Sequence, residues 1–299
     1  MKNSLDLNRR YMFALEDVAR EVGQNILNYK GPVEDTKHIR GHEESSIDLF
    51  AYTTMIGSLE KHLASFTKED RFKGEYLFEL HELQDLVSEK ERGSVLRVLR
   101  IDEIDGTTNT KRQIASLFDY NPNSAVSIAL CQDESMGSIE VGVIYDLHNN
   151  NTFSAMHVDD SYVSFCDRKI LNPNDFEEKK GEIEQAILAA DPTKKDFRIY
   201  DGCRSTAIDI ISILRNQFDA YIDPRALWKG SGAMLYQYDI AGVIPIAYGC
   251  GLEISDIYGN PIDSYSGRNE PLSIIIARKG LKERFVEALK PIAGGKNGN

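Results

Sequence analysis

Ile101-Asp102-Glu103-Ile104-Asp105-Gly106-Thr107-Thr108-Asn109 sets two carboxylates three residues apart, then a glycine and three small polar residues. The apolar run over residues 95–101 leads into the pair and reads as a buried strand, although it carries two arginines. The acids then fall where a strand ends and a turn begins, the place where open α/β sheets hold their ligands. Residues three apart on a strand point to opposite faces, so the two acids converge only if the backbone turns between them. Gly106 permits a sharp turn, and Thr107, Thr108 and Asn109 are good residues to start a helix. Such an arrangement suits a hard divalent cation held by carboxylates beside a helix N-terminus that can receive an anion. An EF-hand loop does not fit, because counting from Asp102 puts Gln113 where the bidentate glutamate belongs.

At 299 residues the chain can bury a large core, as one domain or as two fused halves. Its formal net charge of −12 argues against nucleic acid or an anionic membrane as a main partner. An acidic protein that handles phosphate needs a cation to do so. Cys131, Cys166, Cys203 and Cys250 are widely spaced, with no C-x-x-C pair, and read as reduced thiols of an intracellular protein. Residues 1–10 lack an apolar signal core, and no apolar run approaches the roughly 20 residues that span a bilayer. The expectation is a cytoplasmic protein.

Residues 7–29 carry Met12, Leu15, Val18, Val22 and Ile26 at helical spacing and stop before Lys30-Gly31-Pro32. Residues 33–44 are charged and read as a loop. A second helix is expected over 48–66, with Leu49, Met55, Ile56, Leu59 and Leu63 as its apolar contributors, the two helices forming a hairpin laid on a sheet. Strands are expected at 76–78, 95–101, 125–130, 139–145 and 162–165, with Asn149-Asn150-Asn151 as a hairpin turn. A shift to Asn, Pro, Lys and Glu over 172–184 divides an N-terminal α+β half, residues 1–172, from a C-terminal α/β half, residues 173–299. In the second half, strands are expected at 185–190, 219–222, 252–255 and 272–277, and helices at 205–215, 238–247 and 279–289.

Other acids that could join Asp102 and Asp105 must come from distant element ends. Glu79 follows the apolar Tyr76-Leu77-Phe78, and Asp239 stands in Tyr238-Asp239-Ile240-Ala241-Gly242 at the start of a helical segment. Asp102-x-Ile104-Asp105-Gly106-Thr107 resembles the D-P-[IL]-D-G-T signature of the magnesium-dependent inositol monophosphatase superfamily. The stretch 238–242 is similar to its second signature, W-D-[IV]-A-A-G, and 251–261 to the following G-G-x-[IV]-T-D-x-x-G-x-P. Asp219-Ala220-Tyr221-Ile222-Asp223-Pro224-Arg225 leans toward the archaeal branch, whose members act on inositol monophosphate and fructose 1,6-bisphosphate.

The resemblance implies an α/β fold, a layered α-β-α-β-α sandwich of the inositol monophosphatase and fructose-1,6-bisphosphatase type. It also implies Mg²⁺-dependent hydrolysis of inositol monophosphate or a related sugar or polyol phosphate, with two or three ions per site. Carried over residue by residue, Asp102 would bridge two metals with the Ile104 carbonyl as a further ligand. Glu79 would complete the first metal, Asp105 and Asp239 the second. Thr107 would hydrogen-bond the attacking water, and the amides around Gly106, Thr107 and Thr108 would hold phosphate oxygens. Ser205-Thr206-Ala207-Ile208 is similar to the substrate-side G-S-x-A-L segment, which puts Arg204, Ser205 and Arg225 near the substrate. A small phosphoester partner and a homodimer are expected. Fructose 1,6-bisphosphate, then 3′-phosphoadenosine 5′-phosphate, are the alternative substrates, and a non-catalytic sugar-phosphate binder is the alternative class.

Four departures from the pattern matter. Glu103 replaces the signature proline, an exchange expected to loosen the turn and touch no ligand, and Tyr238 replaces a tryptophan. The usual G-E-E is degraded to Phe78-Glu79-Leu80-His81-Glu82, so Glu82 stays open beside Glu79. In Asp48-Leu49-Phe50-Ala51-Tyr52-Thr53-Thr54, the acid that positions the attacking water is replaced by Thr54, which cannot take up a proton as a carboxylate does. Asp239 also reads as a plain helix cap, Glu79 as a solvated strand-end acid, and Arg204 as an exposed arginine at a helix start.

Overall fold

The apolar stripe of the first helix decides which way the sheet faces. Met12, Leu15, Val18, Val22 and Ile26 are all covered in α1 (Lys2–Leu27). In α2 (Ser46–Glu69) the covered stripe is Ile47, Ala51, Met55, Leu59 and Leu63, four residues apart. Leu49, expected among them, is 42% exposed, since two residues from Ile47 is more than half a turn away. The computed structural model describes residues 2–32, 35–37, 43–69, 77–80, 98–116, 121–176, 185–188, 198–200, 205–227, 234–265 and 270–293. Within the charged segment expected as a loop lie β1 (Asp35–Lys37) and, overlapping its end, β2 (Glu43–Ser45), paired antiparallel.

Seven strands make the first large sheet: β3 (Leu77–Leu80), β4 (Val98–Asp105), β5 (Ala125–Cys131), β6 (Ile139–Asp146), β7 (Asn151–Val158), β8 (Ser161–Cys166) and β9 (Lys169–Ile170). They follow one another in space as in sequence, with β3 parallel to β4 and every later pair antiparallel. The β6–β7 turn passes through Asn150 at φ +56°, a conformation asparagine tolerates well. Alternation along β5 sorts the two faces. Val126, Ile128 and Leu130 join the α1 and α2 stripes, while Ala125, Ala129 and Cys131 face the other way.

That other face is covered by α4 (Thr206–Leu214), α5 (Gln237–Ala241) and α6 (Ile244–Gly249). A five-stranded sheet follows, built from β10 (Gln185–Leu188), β11 (Arg198–Tyr200), β12 (Ala220–Asp223), β13 (Glu253–Asp256) and β14 (Ile274–Ala277) in the order β11-β10-β12-β14-β13. Its outer face packs Ile222 and Ile275 against Phe285 and Leu289 of α7 (Lys282–Ala293). The layers run α-β-α-β-α, the architecture the sequence predicts. Because α4 lies between two sheets, its residues from Ala207 to Leu214 are all buried, including Asp209 and Ser212.

One expected helix, over 238–247, is in fact two. Gly242 and Val243 separate α5 from α6, and Pro245 sits in the first turn of α6, where its missing N–H leaves no helix bond unmade. This junction packs onto β6 at Gly142. A Cβ there would stand 2.3 Å from Pro245 Cγ and 2.4 Å from the Gly242 carbonyl oxygen, so only glycine fits. Cys131 and Cys250 are buried free thiols and Cys166 is a partly exposed one. No described helix is long and apolar enough to cross a membrane.

Candidate active site

β4 does not stop before the two acids. It runs through both and ends at Asp105. Asp102 pairs with Ser127 of β5 and Asp105 with Ala125, so three steps on β4 oppose two on β5. This extra residue is a β-bulge, and it re-aims side chains that a regular strand would send to opposite faces. The chain then turns at Gly106, φ +94°, into α3 (Thr107–Ile114). A Cβ at Gly106 would lie 3.0 Å from Ser205 Cβ and 3.1 Å from the Asn123 carbonyl oxygen. Gly106→Ala therefore meets both a left-handed backbone and crowding, and should lower unfolding free energy by about 2 kcal/mol. A urea titration checks this, with a lower midpoint and an unchanged slope as the expected result.

Thr107 begins α3, and its Oγ1 donates to the Ile104 carbonyl at 3.1 Å. The amides of Thr107 and Thr108 stand in the first helical turn, where no carbonyl of the same helix can receive them. The Thr108 side chain is exposed. Asp102 is partly covered, and its Oδ1 accepts the Ile104 amide at 3.1 Å.

Asp105 reaches across the layers to α4. Its carboxylate accepts the Ser205 hydroxyl at 2.9 Å, the Thr206 amide at 3.1 Å and the Ala207 amide at 2.6 Å. Ser205 is the N-cap of α4, so an acid one hundred residues away completes that helix start. Asp239 stands in the first turn of α5 and accepts the Tyr236 amide at 2.7 Å. Tyr238, in the tryptophan position, is buried and stacks on Tyr236 with ring centroids 5.5 Å apart.

The three acids share one electrostatic neighbourhood. Burial raises the Asp102 carboxyl well above the usual range, and the nearby charges of Asp105, Asp239 and Glu103 push it further, against the pull of the Ile104 amide. Burial lifts Asp105 to about 6, against the hydrogen bonds from Ala207, Ser205 and Thr206. Asp239 is pushed up to about 8 by burial, with the Tyr236 amide opposing, Asp105 adding to the rise and Arg225 countering it. Among the described residues no three acidic, histidine or cysteine side chains already stand together as a finished metal cage. Asp105 and Asp239 are instead turned onto backbone amides at the starts of α4 and α5.

The remaining candidates divide by location. Glu79 is level with Arg100 in the parallel β3–β4 pair, two residues short of Asp102, while Glu82 and Arg204 lie outside the described residues. Arg225 follows β12 and is bound by Asp223 through Nε at 2.9 and 2.8 Å and through Nη2. Thr54 turns its hydroxyl back onto the Phe50 carbonyl at 2.8 Å, within its own helix.

Sequence reasoning missed three acids here. Glu103, expected to leave the ligands untouched, is buried within β4 and its charge bears directly on Asp102. Buried Asp209 acts on Asp105, and buried Asp223 on Asp239. An acid in the all-apolar run Ala207-Ile208-Asp209-Ile210-Ile211 was the one available signal for the second of these.

Five alternating layers carry an acid pair at the head of one helix and a third acid at the head of another, the layered α/β architecture of the solved structures this chain superposes on. The family model for the inositol monophosphatase family matches residues 8–293, and the chain belongs to that family. It is a phosphatase by that membership. The Thermotoga maritima inositol monophosphatase TM1415 superposes with a TM-score of 0.65 at 16% identity, over 94% of this chain and 96% of its own. Inositol monophosphatase II of Staphylococcus aureus MSSA476 gives 0.63 at 19%, over 93% and 95%. The MJ0109 product, an inositol monophosphatase-fructose 1,6-bisphosphatase, gives 0.64 at 16%, over 92% and 98%. At such identities the likeness is one of fold. No curated protein matches this sequence.

Proposed function

We propose that this phosphatase is Mg²⁺-dependent and hydrolyses inositol monophosphate or a related sugar or polyol monophosphate. The observation that carries the reading is the convergence of Asp102, Asp105 and Asp239, Asp105 buried and the other two partly covered, within reach of one another's charge and beside the open amides of α3. Buried carboxylates that repel need a compensating cation. The donors are all oxygen, which fits a hard ion, and membership of the family supports the same choice. Asp102, Asp105, Asp239, the Ile104 carbonyl and Glu79 would hold it, Asp105 and Asp239 giving up amides at helix starts to do so. Bound there, Mg²⁺ supplies positive charge against the phosphate and lowers the pKa of water.

The chain's own residues do the rest. The Thr107 and Thr108 amides, with the α3 dipole behind them, hold phosphate oxygens. The Thr107 hydroxyl has one proton, now given to the Ile104 carbonyl, and its lone pairs remain to orient the water that attacks phosphorus. Because Thr54 keeps its own proton on Phe50, no carboxylate at that position assists. That same observation favours a second reading, a family member that binds sugar phosphate without turning it over.

A phosphate-release panel separates the two. Inositol 1-phosphate, fructose 1,6-bisphosphate and 3′-phosphoadenosine 5′-phosphate are each supplied with Mg²⁺ and with EDTA. Release from inositol 1-phosphate that needs Mg²⁺ is the expected result. Full release in EDTA sinks the metal dependence, and binding without release at any Mg²⁺ concentration sinks catalysis.

A further inference from the structure

Ser127 carries a hydroxyl that nothing receives. It is fully buried in the middle of β5, and its Oγ makes no hydrogen bond among the described residues. A buried polar group without a partner is a standing cost to the fold, which a methyl group in its place would not incur. The backbone nevertheless makes room for it. Gly242 follows α5 at φ −67° and ψ −32°, a conformation open to any residue. A Cβ there would stand 2.4 Å from Ser127 Oγ and 3.1 Å from both the Ile128 nitrogen and Ile144 Cδ1. Glycine is needed at this position for space alone, and the hydroxyl is the nearest atom in that space.

The strand register sets the same hydroxyl beside Asp102. Ser127 pairs with Asp102 across β5 and β4, two residues on from Ala129–Arg100 and four from Cys131–Val98. Val98, Ala129 and Cys131 lie on the face covered by α4, α5 and α6, so by alternation Asp102 and Ser127 share that face. Side chains directly opposite on antiparallel strands have Cβ atoms about 4.5–5.5 Å apart, within reach of a hydroxyl and a carboxylate. Asp102 Oδ1 accepts the Ile104 amide at 3.1 Å, and Oδ2 accepts no hydrogen bond among the described residues. A donor without an acceptor therefore stands opposite an acceptor without a donor. The other β5 side chains on this face are Ala125, Ala129 and Cys131, so Ser127 is its only hydroxyl.

We propose that Ser127 is a positioning residue for the cation site, its hydroxyl donating to the Asp102 carboxylate when that carboxylate takes up Mg²⁺. The inference rests on the metal reading above and adds a residue to it. In the cation-free protein the hydroxyl lies toward Gly242, and one rotation about Cα–Cβ carries it to another staggered position. A ligating carboxylate is held by hydrogen bonds from outside the ligand set, which fix the oxygen it presents to the ion. Ser127 is built into the central part of the sheet, so it can supply that bond from a rigid support. The cost of the unpartnered hydroxyl is then recovered only when the cation is bound.

The test compares the full-length protein with Ser127→Ala, by calorimetric titration with Mg²⁺ and by thermal unfolding in EDTA. Ser127→Ala should raise Kd for Mg²⁺ about tenfold, the scale on which a partner of a metal ligand acts. Its midpoint in EDTA should equal or exceed that of the unsubstituted protein, because no hydrogen bond is lost and an unpartnered hydroxyl is removed. A serine that only supports the fold would give the opposite pattern, a lower midpoint with Kd unmoved. Ser212→Ala is the control, since that buried serine already donates to the Ile208 carbonyl at 2.8 Å. Its Kd should stay within about twofold of the unsubstituted protein. The proposal is overturned if Ser127→Ala binds Mg²⁺ as tightly as the unsubstituted protein, if its midpoint falls in EDTA, or if Ser212→Ala weakens Mg²⁺ as much. Failure of the metal reading looks different, because the unsubstituted protein itself then takes up no Mg²⁺. A protein that binds Mg²⁺ and releases no phosphate still decides the role of Ser127, because binding is what the titration reads.

Discussion

Asp102→Asn is expected to cut phosphate release at least about 100-fold while raising the thermal midpoint of the metal-free protein at pH 8. The two effects have one cause. Asp102 is the acid on which the charges of Asp105, Asp239 and Glu103 converge, so its removal takes away a cation ligand and relieves a repulsion. Asparagine keeps an oxygen for the Ile104 amide, so the turn itself is retained. A variant that merely damaged the fold would lose activity and midpoint together.

The pH dependence follows from the sign of the shifts. A carboxyl held above its ordinary range takes up protons more readily folded than unfolded, so it favours the folded state below pH of about 4. That contribution is lost as pH rises through about 6 for Asp105 and about 8 for Asp239. The metal-free protein should therefore lose stability across this window. Mg²⁺ stabilises by mass action and must displace these protons, so the rise in midpoint it produces should be larger at pH 8.5 than at pH 5. Scanning calorimetry at the two values, with Mg²⁺ and with EDTA, decides this. An equal rise at both would mean that the ion binds elsewhere.

Thr54→Asp should raise turnover by on the order of tenfold, a modest share of what a well-placed proton acceptor supplies. Thr54 is half-buried, and its hydroxyl is satisfied within α2 by Phe50. An aspartate cannot make that bond and has to turn its charge outward. The added carboxylate also strengthens the demand for cation, so the Mg²⁺ concentration giving half-maximal rate should fall. Unchanged turnover and unchanged metal dependence would show that activation never lacked an acid there.

Much of the fold was legible because its signals are local. Helical spacing in residues 12–26 and alternation in residues 125–130 are set by which neighbours along the chain are apolar, and burial follows that pattern. The helix starts at Thr107 and Thr206 were readable for the same reason. Leu49 and the continuous helix over 238–247 were misread because a count of apolar residues does not say which side of a helix meets the sheet, nor that Pro245 begins a new one.

The sequence by itself determined the helix and strand periodicities and the two signatures, which depend on residue types at short spacing, and the resemblance those signatures carry implied the layered architecture and the choice of Asp102, Asp105, Thr107 and Asp239. Only the tertiary structure decided what those residues meet. Through it Asp105 caps α4 from one hundred residues away, Glu103 is sealed inside β4 beside Asp102, and Asp209 and Asp223 add their fields to the site. Proton affinity and hydrogen-bond partnership are properties of the surroundings. Desolvation and charge act through space, and the segments that supply them are distant in sequence.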